Sequence, residues 1–435
     1  MREEFLHRKV LILGYGISGK GAEHALLACG ATSRVVDESI EKIIFDKAFV
    51  SGFDLIVTSP SVPHTHPIYR MAAALDIEIY SEVELGARLF SGKLIGITGT
   101  NGKTTTAALI GKIFKYAKIR TSVCGNIGIS FASAAVFDNF DVAVVELSSF
   151  QLETVSSLKP DIAIITNITP DHLDRHVTFE AYASAKRNIA KNQTQEDTLI
   201  LSQDDIPLSA LTGFRPNANV LYVSTRGKVQ GAYLLNGTVY YFDEPIIKRS
   251  AIRLSGAHNV ANCLFAVCAA KLCGIPNQVI TAVLSEFRPE DHRIQLVDRI
   301  KGKNFYNDSK GTNIGATLAA VRAMEGSVAL ILGGKDKGYE FDALIEQLPK
   351  SVKHIFAIGE TAEKICSAAY RNNFHEIETK ADLRGAVLAA FMSEADNVLL
   401  SPACSSFDMF NDYADRGRNF EKIVQEISEN DKCNP

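Results

Sequence analysis

The stretch from Leu94 to Thr106 has the composition of a phosphate-binding loop. A short apolar run is followed by Gly-Thr-Asn-Gly-Lys-Thr, residues 99–104, and then by a helix pattern. A glycine-rich turn between a strand and a helix points backbone N–H groups at phosphate. Lys103 can neutralise phosphate charge, and the Thr104 hydroxyl can reach a Mg²⁺ ion that bridges two phosphates. Although Ile97 stands where the strict P-loop pattern has its first glycine, the stretch predicts nucleoside triphosphate binding.

Two further strand patterns end in residues that could hold a cation. One ends at Glu146, and the next leads into a loop that carries Asn167, His172 and His176. Because ligands bind at the carboxyl ends of the strands in open α/β sheets, Glu146, Asn167 and His172 are expected over the phosphate loop. Glu146 suits Mg²⁺, and His172 suits a second metal ion or phosphate. His176 is expected at the surface. Lys186 falls in a predicted helix with Thr178 as its N-cap, and spacing alone favours an exposed helical lysine there.

Polar loops in the C-terminal third offer further ligand-binding groups. Asp308 and Lys310 follow a short strand and could hold a ribose and a phosphate together. The alternative for this pair is a turn with a surface ion pair, which contributes little. Lys335 could meet a substrate carboxylate, and Ser405 and Ser406 could donate hydrogen bonds to it. Ordinary turn chemistry explains these last three residues equally well.

The N-terminal segment carries the fingerprint of a dinucleotide-binding fold. Gly14-Tyr-Gly-Ile-Ser-Gly19 lies between a strand pattern and a helix pattern, and a second strand ends at Asp37. The glycines permit close approach to a pyrophosphate, and the acidic residue can bind a ribose. Taken alone, this segment is compatible with an NAD-dependent oxidoreductase.

These motifs lie on strands that alternate with helices, which predicts an α/β fold with mostly parallel sheets. Three glycine-bearing strand-to-helix starts predict three domains, over residues 1–91, 92–287 and 288–435. The central domain is expected to contain a small β insert with a hairpin at Asn236-Gly237. A further helix is expected to start near His258.

Composition narrows the class of protein. The 435 residues carry a formal net charge of −4, so nucleic acid is not an expected partner. No apolar run is long enough to span a bilayer, and no signal-peptide pattern is present. The eight cysteines form no Cys-x-x-Cys pair, which favours reduced core thiols. A cytoplasmic protein that does not bind membranes, and for which nothing demands more than a monomer, is therefore expected.

Taken together, the motifs resemble the Mur ligase family of peptidoglycan synthesis over essentially the whole chain, in the branch that adds glutamate. The segments that carry the resemblance are Gly99–Thr104, Gly125–Gly128, Glu146–Glu153, Gly256–Asn259, His292-Arg293, Asn307–Lys310, Ser401–Cys404 and Arg416-Gly417. Within the family, two of these segments are typical of the glutamate-adding branch: Asn-Asp-Ser-Lys at residues 307–310 and Ser-Pro-Ala-Cys at residues 401–404. The resemblance implies a Rossmann-like UDP-binding domain, a central P-loop ATPase-type domain and a C-terminal Rossmann-like domain that binds the amino acid and closes over ATP.

The resemblance also implies a role for individual residues. The implied ATP-binding residues are Gly99, Thr100, Asn101, Gly102, Lys103, Thr104, Thr105, Asn259, Asn262, Arg293, Asp308 and Lys310. Those implied for the UDP-bearing substrate are Gly16, Ile17, Ser18, Asp37, Asn126 and His172. D-Glutamate is implied to bind Lys310, Thr312, Lys335, Ser406 and Phe407. The implied Mg²⁺ site, with two ions, comprises Thr104, Glu146, His172 and a carbamylated Lys186. Lys103, Glu146, His172 and Lys186 are the implied catalytic residues.

The implied reaction is ATP-dependent addition of D-glutamate to UDP-N-acetylmuramoyl-L-alanine through an acyl phosphate and a tetrahedral intermediate. The alternatives are another Mur-type or folylpolyglutamate-type amide ligase, an NAD-binding oxidoreductase, and a non-catalytic nucleotide switch. Two departures from the family pattern affect the first domain. Ser59-Pro-Ser61 replaces the usual Ser-Pro-Gly, and Glu38-Ser39 replaces a Thr-Arg pair, so an arginine contact to the uridine end is missing or supplied elsewhere.

Overall fold

The computed structural model describes residues 2–38, 43–126, 129–254, 256–287, 292–324 and 326–433. The chain divides into two compact units: Met1–Arg253 with Asn259–Phe287, and Leu254–His258 with Arg288–Pro435. Arg288, where the third domain is predicted to start, lies outside the described residues, as do Ser39, Ile127 and Gly128. The three-domain division with its boundaries stays a prediction.

The first sheet of unit 1 has four parallel strands in the order β2-β1-β3-β4. The strands are β1 (Lys9–Leu13), β2 (Thr32–Val36), β3 (Leu55–Thr58) and β4 (Glu78–Ser81), and the helices are α1 (Ile17–Ala28), α2 (Lys47–Val50), α3 (Pro67–Leu75) and α4 (Glu82–Leu89). Along β1, Val10 and Ile12 lie in one apolar cluster, whereas Leu11 and Leu13 lie in another. The sheet is therefore covered on both faces, as is usual for parallel strands.

The second sheet of unit 1 has nine strands in the order β13-β12-β11-β10-β9-β8-β5-β7-β6. The strands are β5 (Lys93–Thr98), β6 (Thr121–Gly125), β7 (Val142–Glu146), β8 (Ile162–Ile165), β9 (Thr198–Ser202), β10 (Asn219–Ser224), β11 (Gly231–Leu235), β12 (Thr238–Tyr241) and β13 (Glu244–Lys248). The helices are α5 (Lys103–Tyr116), α6 (Phe131–Phe137), α7 (Ser149–Leu152), α8 (Leu173–His176), α9 (Phe179–Arg187), α10 (Ala257–Leu272) and α11 (Asn277–Glu286). The first two residues of α10 fall in unit 2 and the rest in unit 1.

The predicted hairpin at Asn236-Gly237 is confirmed. It joins the antiparallel strands β11 and β12, and both turn residues have positive φ, 47° and 71°. Such a two-residue turn requires residues that tolerate the left-handed region, which Asn and Gly do. The β-rich segment extends one edge of the main sheet, because β11 pairs with β10 and β10 with β9.

The sheet of unit 2 has six strands in the order β14-β15-β19-β16-β17-β18, parallel except for the β14–β15 pair. The strands are β14 (Gln295–Ile300), β15 (Lys303–Asn307), β16 (Val328–Gly333), β17 (Val352–Ile358), β18 (Ile377–Thr379) and β19 (Asn397–Leu400). The helices are α12 (Ile314–Arg322), α13 (Asp342–Glu346), α14 (Ala362–Arg371), α15 (Leu383–Met392) and α16 (Tyr413–Cys433). The α/β fold with mostly parallel sheets is confirmed. None of the described helices combines the length and apolar character needed to cross a membrane.

Two buried carboxylates on α4 tie the first sheet of unit 1 to the segments around the second. Glu82 accepts hydrogen bonds from Ser130 Oγ at 2.6 Å and from the Ala132 N–H at 2.7 Å, at the start of α6. Glu84 accepts hydrogen bonds from the backbone N–H groups of Ser157 at 2.8 Å and Leu158 at 3.0 Å. Burial raises the pKa of Glu82 above its ordinary value of 4.5, because desolvation outweighs its hydrogen bonds.

We expect Glu82→Gln to change the pH dependence of stability. Because the pKa of Glu82 is raised in the folded state, the stability that this group contributes is fully present below its pKa in the unfolded chain. That contribution is lost as the pH rises through its pKa in the folded chain. Glutamine keeps an acceptor oxygen for Ser130 and Ala132 but cannot ionise. The melting temperature of the variant minus that of the original chain should therefore increase between pH 4 and pH 8. Scanning calorimetry checks this, and a difference that stays constant with pH would contradict it.

Candidate active site

Glycines shape the loop between β5 and α5. Gly99 has φ +140°, and a Cβ there would lie 1.9 Å from Thr166 Oγ1. Gly102 has φ +84°, and a Cβ there would lie 2.4 Å from Asn262 Oδ1. Both positions therefore exclude a side chain, on steric and on conformational grounds. The loop can lie closely against its neighbours while α5 starts at Lys103 directly after it.

The two residues directly after β8 hold the phosphate loop through hydrogen bonds to its backbone. Asn101 N–H donates to Asn167 Oδ1 at 2.8 Å, and Asn167 Nδ2 donates to the Asn101 carbonyl at 3.0 Å. Thr166 Oγ1 donates to the same carbonyl at 2.6 Å. Asn167 lies against the phosphate loop, as expected from its place after a parallel strand. The loop backbone is thus fixed before any ligand arrives.

Asn259 and Asn262, in the first turns of α10, are brought to the same loop. Asn262 Oδ1 accepts a hydrogen bond from Thr106 Oγ1 at 3.3 Å, and its Nδ2 donates to Asn259 Oδ1 at 3.2 Å. Both side chains are buried. Within unit 1, the structure therefore places this asparagine pair next to the phosphate loop, and both belong to the implied ATP-binding residues.

Two lysine ammonium groups converge on one carbonyl of the loop. Lys103 Nζ donates to the Gly99 carbonyl at 2.7 Å and to the Thr100 carbonyl at 2.9 Å. Lys186 Nζ donates to the same Gly99 carbonyl at 2.8 Å. Two cations this close repel each other, which disfavours the charged form of the more buried one.

Lys186 is 2% exposed, so the exposed helical lysine that spacing favours is wrong. The side chain lies on the inner face of α9, with Nζ 4.6 Å from the centre of the Tyr182 ring. Burial, and then the charge of Lys103, lower the pKa of Lys186 well below its ordinary value. The helix itself begins as predicted, with Thr178 Oγ1 accepting the Ala181 N–H.

Glu146 ends β7 as predicted and is almost fully buried. Its Oε1 accepts a hydrogen bond from Asn126 Nδ2 at 3.0 Å, whereas Oε2 has no hydrogen-bond partner among the described residues. A buried carboxylate oxygen with unused lone pairs is a suitable ligand for Mg²⁺, which takes few protein ligands beside water and phosphate. Within the described ranges, no three His, Cys, Asp or Glu side chains converge as a complete metal site.

His172 precedes α8 and has a left-handed backbone, with φ 52°. Its N–H donates to Asp171 Oδ1 at 2.9 Å, and its ring lies 4.9 Å from the Phe150 ring. Asp171 is buried, and its charge partly offsets the lowering of the Lys186 pKa. Residue spacing did not single out Asp171, because its significance depends on the burial of Lys186.

The expectation that His176 lies at the surface is wrong. The residue is 7% exposed, and its ring stacks on Phe150 at 5.4 Å. Its Nε2 lies 2.9 Å from Ser149 Oγ, and its Nδ1 lies 3.3 Å from Glu153 Oε1. His176 is buried because α7 and α8 pack their polar and aromatic side chains together.

A cavity of about 300 Å³ opens in unit 1 between the two sheets' carboxyl-end loops. Its lining comprises Gly16, Ile17, Ser18, Ser59, Pro60, Ser61, Gly125, Asn126 and Gln151. Gly16, Ile17, Ser18 and Asn126 are residues implied for the UDP-bearing substrate. Asp37 is not among the lining residues, and its Oδ2 accepts the Tyr15 N–H at 3.0 Å. Gln151 was missed, although its capping-box spacing from Ser148 marks a helix start at this position.

In unit 2, Asp308 is buried directly after β15, at the start of the loop that follows this strand. It accepts hydrogen bonds from Ser401 Oγ at 2.7 Å and from the Ile294 N–H at 3.2 Å. Burial raises the pKa of Asp308 to about 6, against the opposing charge of Arg293. Arg293 Nε is itself buried, without a hydrogen-bond partner among the described residues.

Residues implied to bind D-glutamate occupy different environments in unit 2. Lys335 is half exposed, and its Nζ lies 2.6 Å from Glu360 Oε2. Lys337, which was missed, donates from Nζ to the Thr312 carbonyl at 3.1 Å. Ser406 is buried, whereas Phe407 is 71% exposed. Two lysines two residues apart give no sequence signal for choosing between them.

The sequence singles out Arg416 only as part of the Arg416-Gly417 motif, yet its side chain is hydrogen-bonded to two of the polar loops and lies close to a third. Its Nε donates to Ser309 Oγ at 2.9 Å, and its Nη2 donates to the carbonyls of Ser309 at 2.9 Å and Cys404 at 3.1 Å. A Cβ on Gly334 would lie 3.2 Å from its Nη1. Burial lowers the pKa of Arg416 to about 10. It is 1% exposed, so its first role is to fix the loop that carries Asp308 and Lys310.

Comparison with known proteins assigns two family domains to this chain. The model of the Mur ligase middle domain matches residues 97–270, which include the phosphate loop, Glu146 and Lys186. The model described as the glutamate ligase domain of Mur ligases matches residues 292–404.

Relatives match nearly the whole length. The UDP-N-acetylmuramoylalanine–D-glutamate ligase of Caldanaerobacter subterraneus subsp. tengcongensis is 39% identical over 448 residues, covering 98% of this chain and 99% of the relative. The protein of the same name from Thermoanaerobacter sp. (strain X514) is 40% identical over 454 residues, with the same coverage. The solved structure of a pseudomurein peptide ligase type C from Methanothermus fervidus shares the fold, with a TM-score of 0.62 at 18% identity over 97% of this chain and 100% of that one. The chain belongs to the Mur ligase family.

Proposed function

We propose that this chain is an ATP-dependent ligase that joins the amine of D-glutamate to the carboxylate of UDP-N-acetylmuramoyl-L-alanine in peptidoglycan synthesis. The observation that carries the proposal is the position of Asn126. This side chain lines the 300 Å³ cavity and also donates a hydrogen bond to Glu146. Glu146 pairs in register with Ile97 on β5, the strand that leads into the phosphate loop. A substrate acid in the cavity would therefore have its carboxylate near the loop.

The relatives support the choice of substrate and amino acid. Two of them match this chain over 98% of its length at 39% and 40% identity, and both are named as D-glutamate ligases. An NAD-dependent oxidoreductase would leave Lys103, Lys186 and Glu146 without a role. We therefore propose that this chain binds three small molecules: UDP-N-acetylmuramoyl-L-alanine, D-glutamate and ATP.

Lys186 is proposed to carry a carbamate. The lowered pKa of Lys186 raises the share of its neutral amine form, whose lone pair can attack CO₂. An N–C bond forms, one proton leaves the nitrogen, and the product is an anion. The change removes the repulsion from Lys103 and places oxygen ligands beside the phosphate loop.

Mg²⁺ fits the residues around Glu146. We assign two ions to Thr104, Glu146, His172 and the carbamylated Lys186, with the unused Oε2 of Glu146 as the supporting observation. When bound, Mg²⁺ neutralises charge on the transferred phosphoryl group. The octahedral preference of Mg²⁺ leaves positions for water and phosphate oxygens, which suits a site with few protein carboxylates.

The protein groups contribute mainly position and charge. A carboxylate is a poor acyl donor, so transfer of the γ-phosphoryl group of ATP to it first creates a good leaving group. The ammonium of Lys103 and the loop N–H groups stabilise the phosphoryl oxygens during this transfer. The amine of D-glutamate then attacks the carbonyl carbon, a tetrahedral intermediate forms, and phosphate departs with the acyl C–O bond pair. The nitrogen loses its proton to solvent.

D-Glutamate is proposed to bind in unit 2. The residues predicted to bind D-glutamate remain the same: Lys310, Thr312, Lys335, Ser406 and Phe407. We add Lys337, because its ammonium already lies at the Thr312 carbonyl. Lys335, by contrast, is engaged by Glu360. Arg293, Asp308 and Lys310 stay proposed ATP contacts.

We also infer a monomer that acts in the cytoplasm without nucleic acid or membrane partners. The net charge of −4 supports the exclusion of nucleic acid. Sedimentation of the purified chain at micromolar concentration tests the monomer.

We expect the purified chain to release phosphate from ATP only when Mg²⁺, UDP-N-acetylmuramoyl-L-alanine and D-glutamate are all present. In a panel with L-glutamate, D-alanine and L-lysine, D-glutamate should be preferred by at least about 100-fold in kcat/KM, because a site built to bind two carboxylates rejects analogues that lack one or misplace it. Phosphate release with a folate and L-glutamate, or tight binding of NADH, would instead support the alternatives.

We expect Lys103→Ala to lower kcat/KM by at least about 100-fold, because it removes a charge that acts on the phosphoryl group during transfer. Lys112→Ala is the matched control, since Lys112 is an exposed lysine of the same helix. Phosphate release and the melting temperature are measured together. Near-normal turnover of a folded Lys103→Ala variant would contradict the assignment of the loop.

We expect Lys186→Ala to be nearly inactive and to regain part of its activity in acetate, which can replace the carbamate oxygens. Lys191→Ala, at an exposed lysine just beyond α9, is the control. Mass spectrometry of the intact original chain in bicarbonate should show a labile addition of one CO₂. Full activity of Lys186→Ala without acetate would exclude a carbamate role.

A further inference from the structure

One side chain links the wall of the substrate cavity to the segment that carries His172. The wall includes Ser59, Pro60 and Ser61, which follow β3 of the first sheet of unit 1. His172 belongs to the second sheet's loops in the same unit. Arg175 follows His172 by one turn and reaches across to the wall.

The guanidinium of Arg175 donates to main-chain carbonyls on that wall. Its Nη1 donates to the Pro60 carbonyl, and its Nη2 donates to the Val62 carbonyl at 3.1 Å. The side chain is 15% exposed. Every residue has a main-chain carbonyl, so these contacts do not depend on the side chains of the wall. They fix the position of the wall backbone whichever residues it contains. The departure from Ser-Pro-Gly to Ser-Pro-Ser is therefore compatible with them.

Glu153 holds the guanidinium in this orientation. Its Oε2 lies 3.1 Å from Arg175 Nη2 and 3.4 Å from His64 Nε2, and its Oε1 lies 3.3 Å from His176 Nδ1. The carboxylate compensates the charge of a mostly buried cation. A planar guanidinium carries its donors on separate nitrogens and can serve two carbonyls and a carboxylate at once, whereas the three donors of a lysine all lie on one nitrogen.

The same guanidinium supports the aromatic platform beneath His172. It lies 4.0 Å over the centre of the Phe150 ring, and this ring lies 4.9 Å from the ring of His172. Phe150 and Gln151 are neighbours in α7, and Gln151 lines the cavity. A shift of the guanidinium would therefore move the cavity wall relative to both His172 and α7.

We infer that Arg175 is a positioning residue that holds the Ser59–Ser61 wall of the cavity against the His172 segment and thereby sets the affinity for the UDP-bearing substrate without touching it. The inference rests on the proposed function of the cavity. It assigns no role to Arg175 in ATP binding, because its contacts lie on the wall, on α7 and on Glu153.

The test compares Arg175→Lys and Arg175→Met with Arg120→Lys as the matched control. Arg120 also pairs with a carboxylate, Asp141, but it is exposed and lies away from the cavity lining. Calorimetric titration of the full chain with UDP-N-acetylmuramoyl-L-alanine and, separately, with ATP and Mg²⁺ gives the two affinities. Melting temperatures show whether each variant folds.

Arg175→Lys should weaken binding of the UDP-bearing substrate about tenfold, the scale of one or two lost charge-assisted hydrogen bonds, and change ATP binding less than about twofold. Arg175→Met should weaken it at least as much, and the control should match the original chain. Equal substrate affinity in a folded Arg175→Lys variant, or an equal loss of ATP affinity, would overturn the inference. If the original chain itself fails to bind the substrate, the proposed function fails instead.

Discussion

The carbonyl of Gly99 is the point on which the central site depends. It accepts hydrogen bonds from two lysines, Lys103 and Lys186, on different helices. Burial, and then the charge of Lys103, disfavour the ammonium form of Lys186 and lower its pKa. In the proposed carbamylation, this lowered pKa favours the neutral amine that would attack CO₂.

The second sheet of unit 1 explains why these groups meet. Strands β8, β5 and β7 are neighbours and parallel, so their carboxyl ends present Thr166, Gly99 and Glu146 along one edge. Lys103 begins α5 directly after the loop, and α9, which lies in the connection between the parallel strands β8 and β9, brings Lys186 to the same edge. The position of the site is thus a consequence of topology, whereas its chemistry depends on which side chains are buried there.

Much of this could be predicted from the sequence where the signal is local. The Thr178 cap, the Asn236-Gly237 turn and the strand end at Glu146 depend on neighbouring residues, and each is found as predicted. Burial is different, because it depends on what other segments cover. Lys186 has a plain helical spacing and is nevertheless 2% exposed. For the same reason, spacing misplaced His176 and gave no ground for choosing Lys337 over Lys335.

One edge of the nine-stranded sheet is β13, and the composition of this strand affects whether another molecule can add a strand to the sheet. An edge strand exposes unpaired backbone groups on which another chain could add a strand. In β13, Pro245 lacks an N–H group, and the charged side chains of Glu244 and Lys248 mark its two ends. Both features discourage sheet extension between molecules. The widest sheet of the chain is in this way protected against aggregation at the edge where its two antiparallel strand pairs lie.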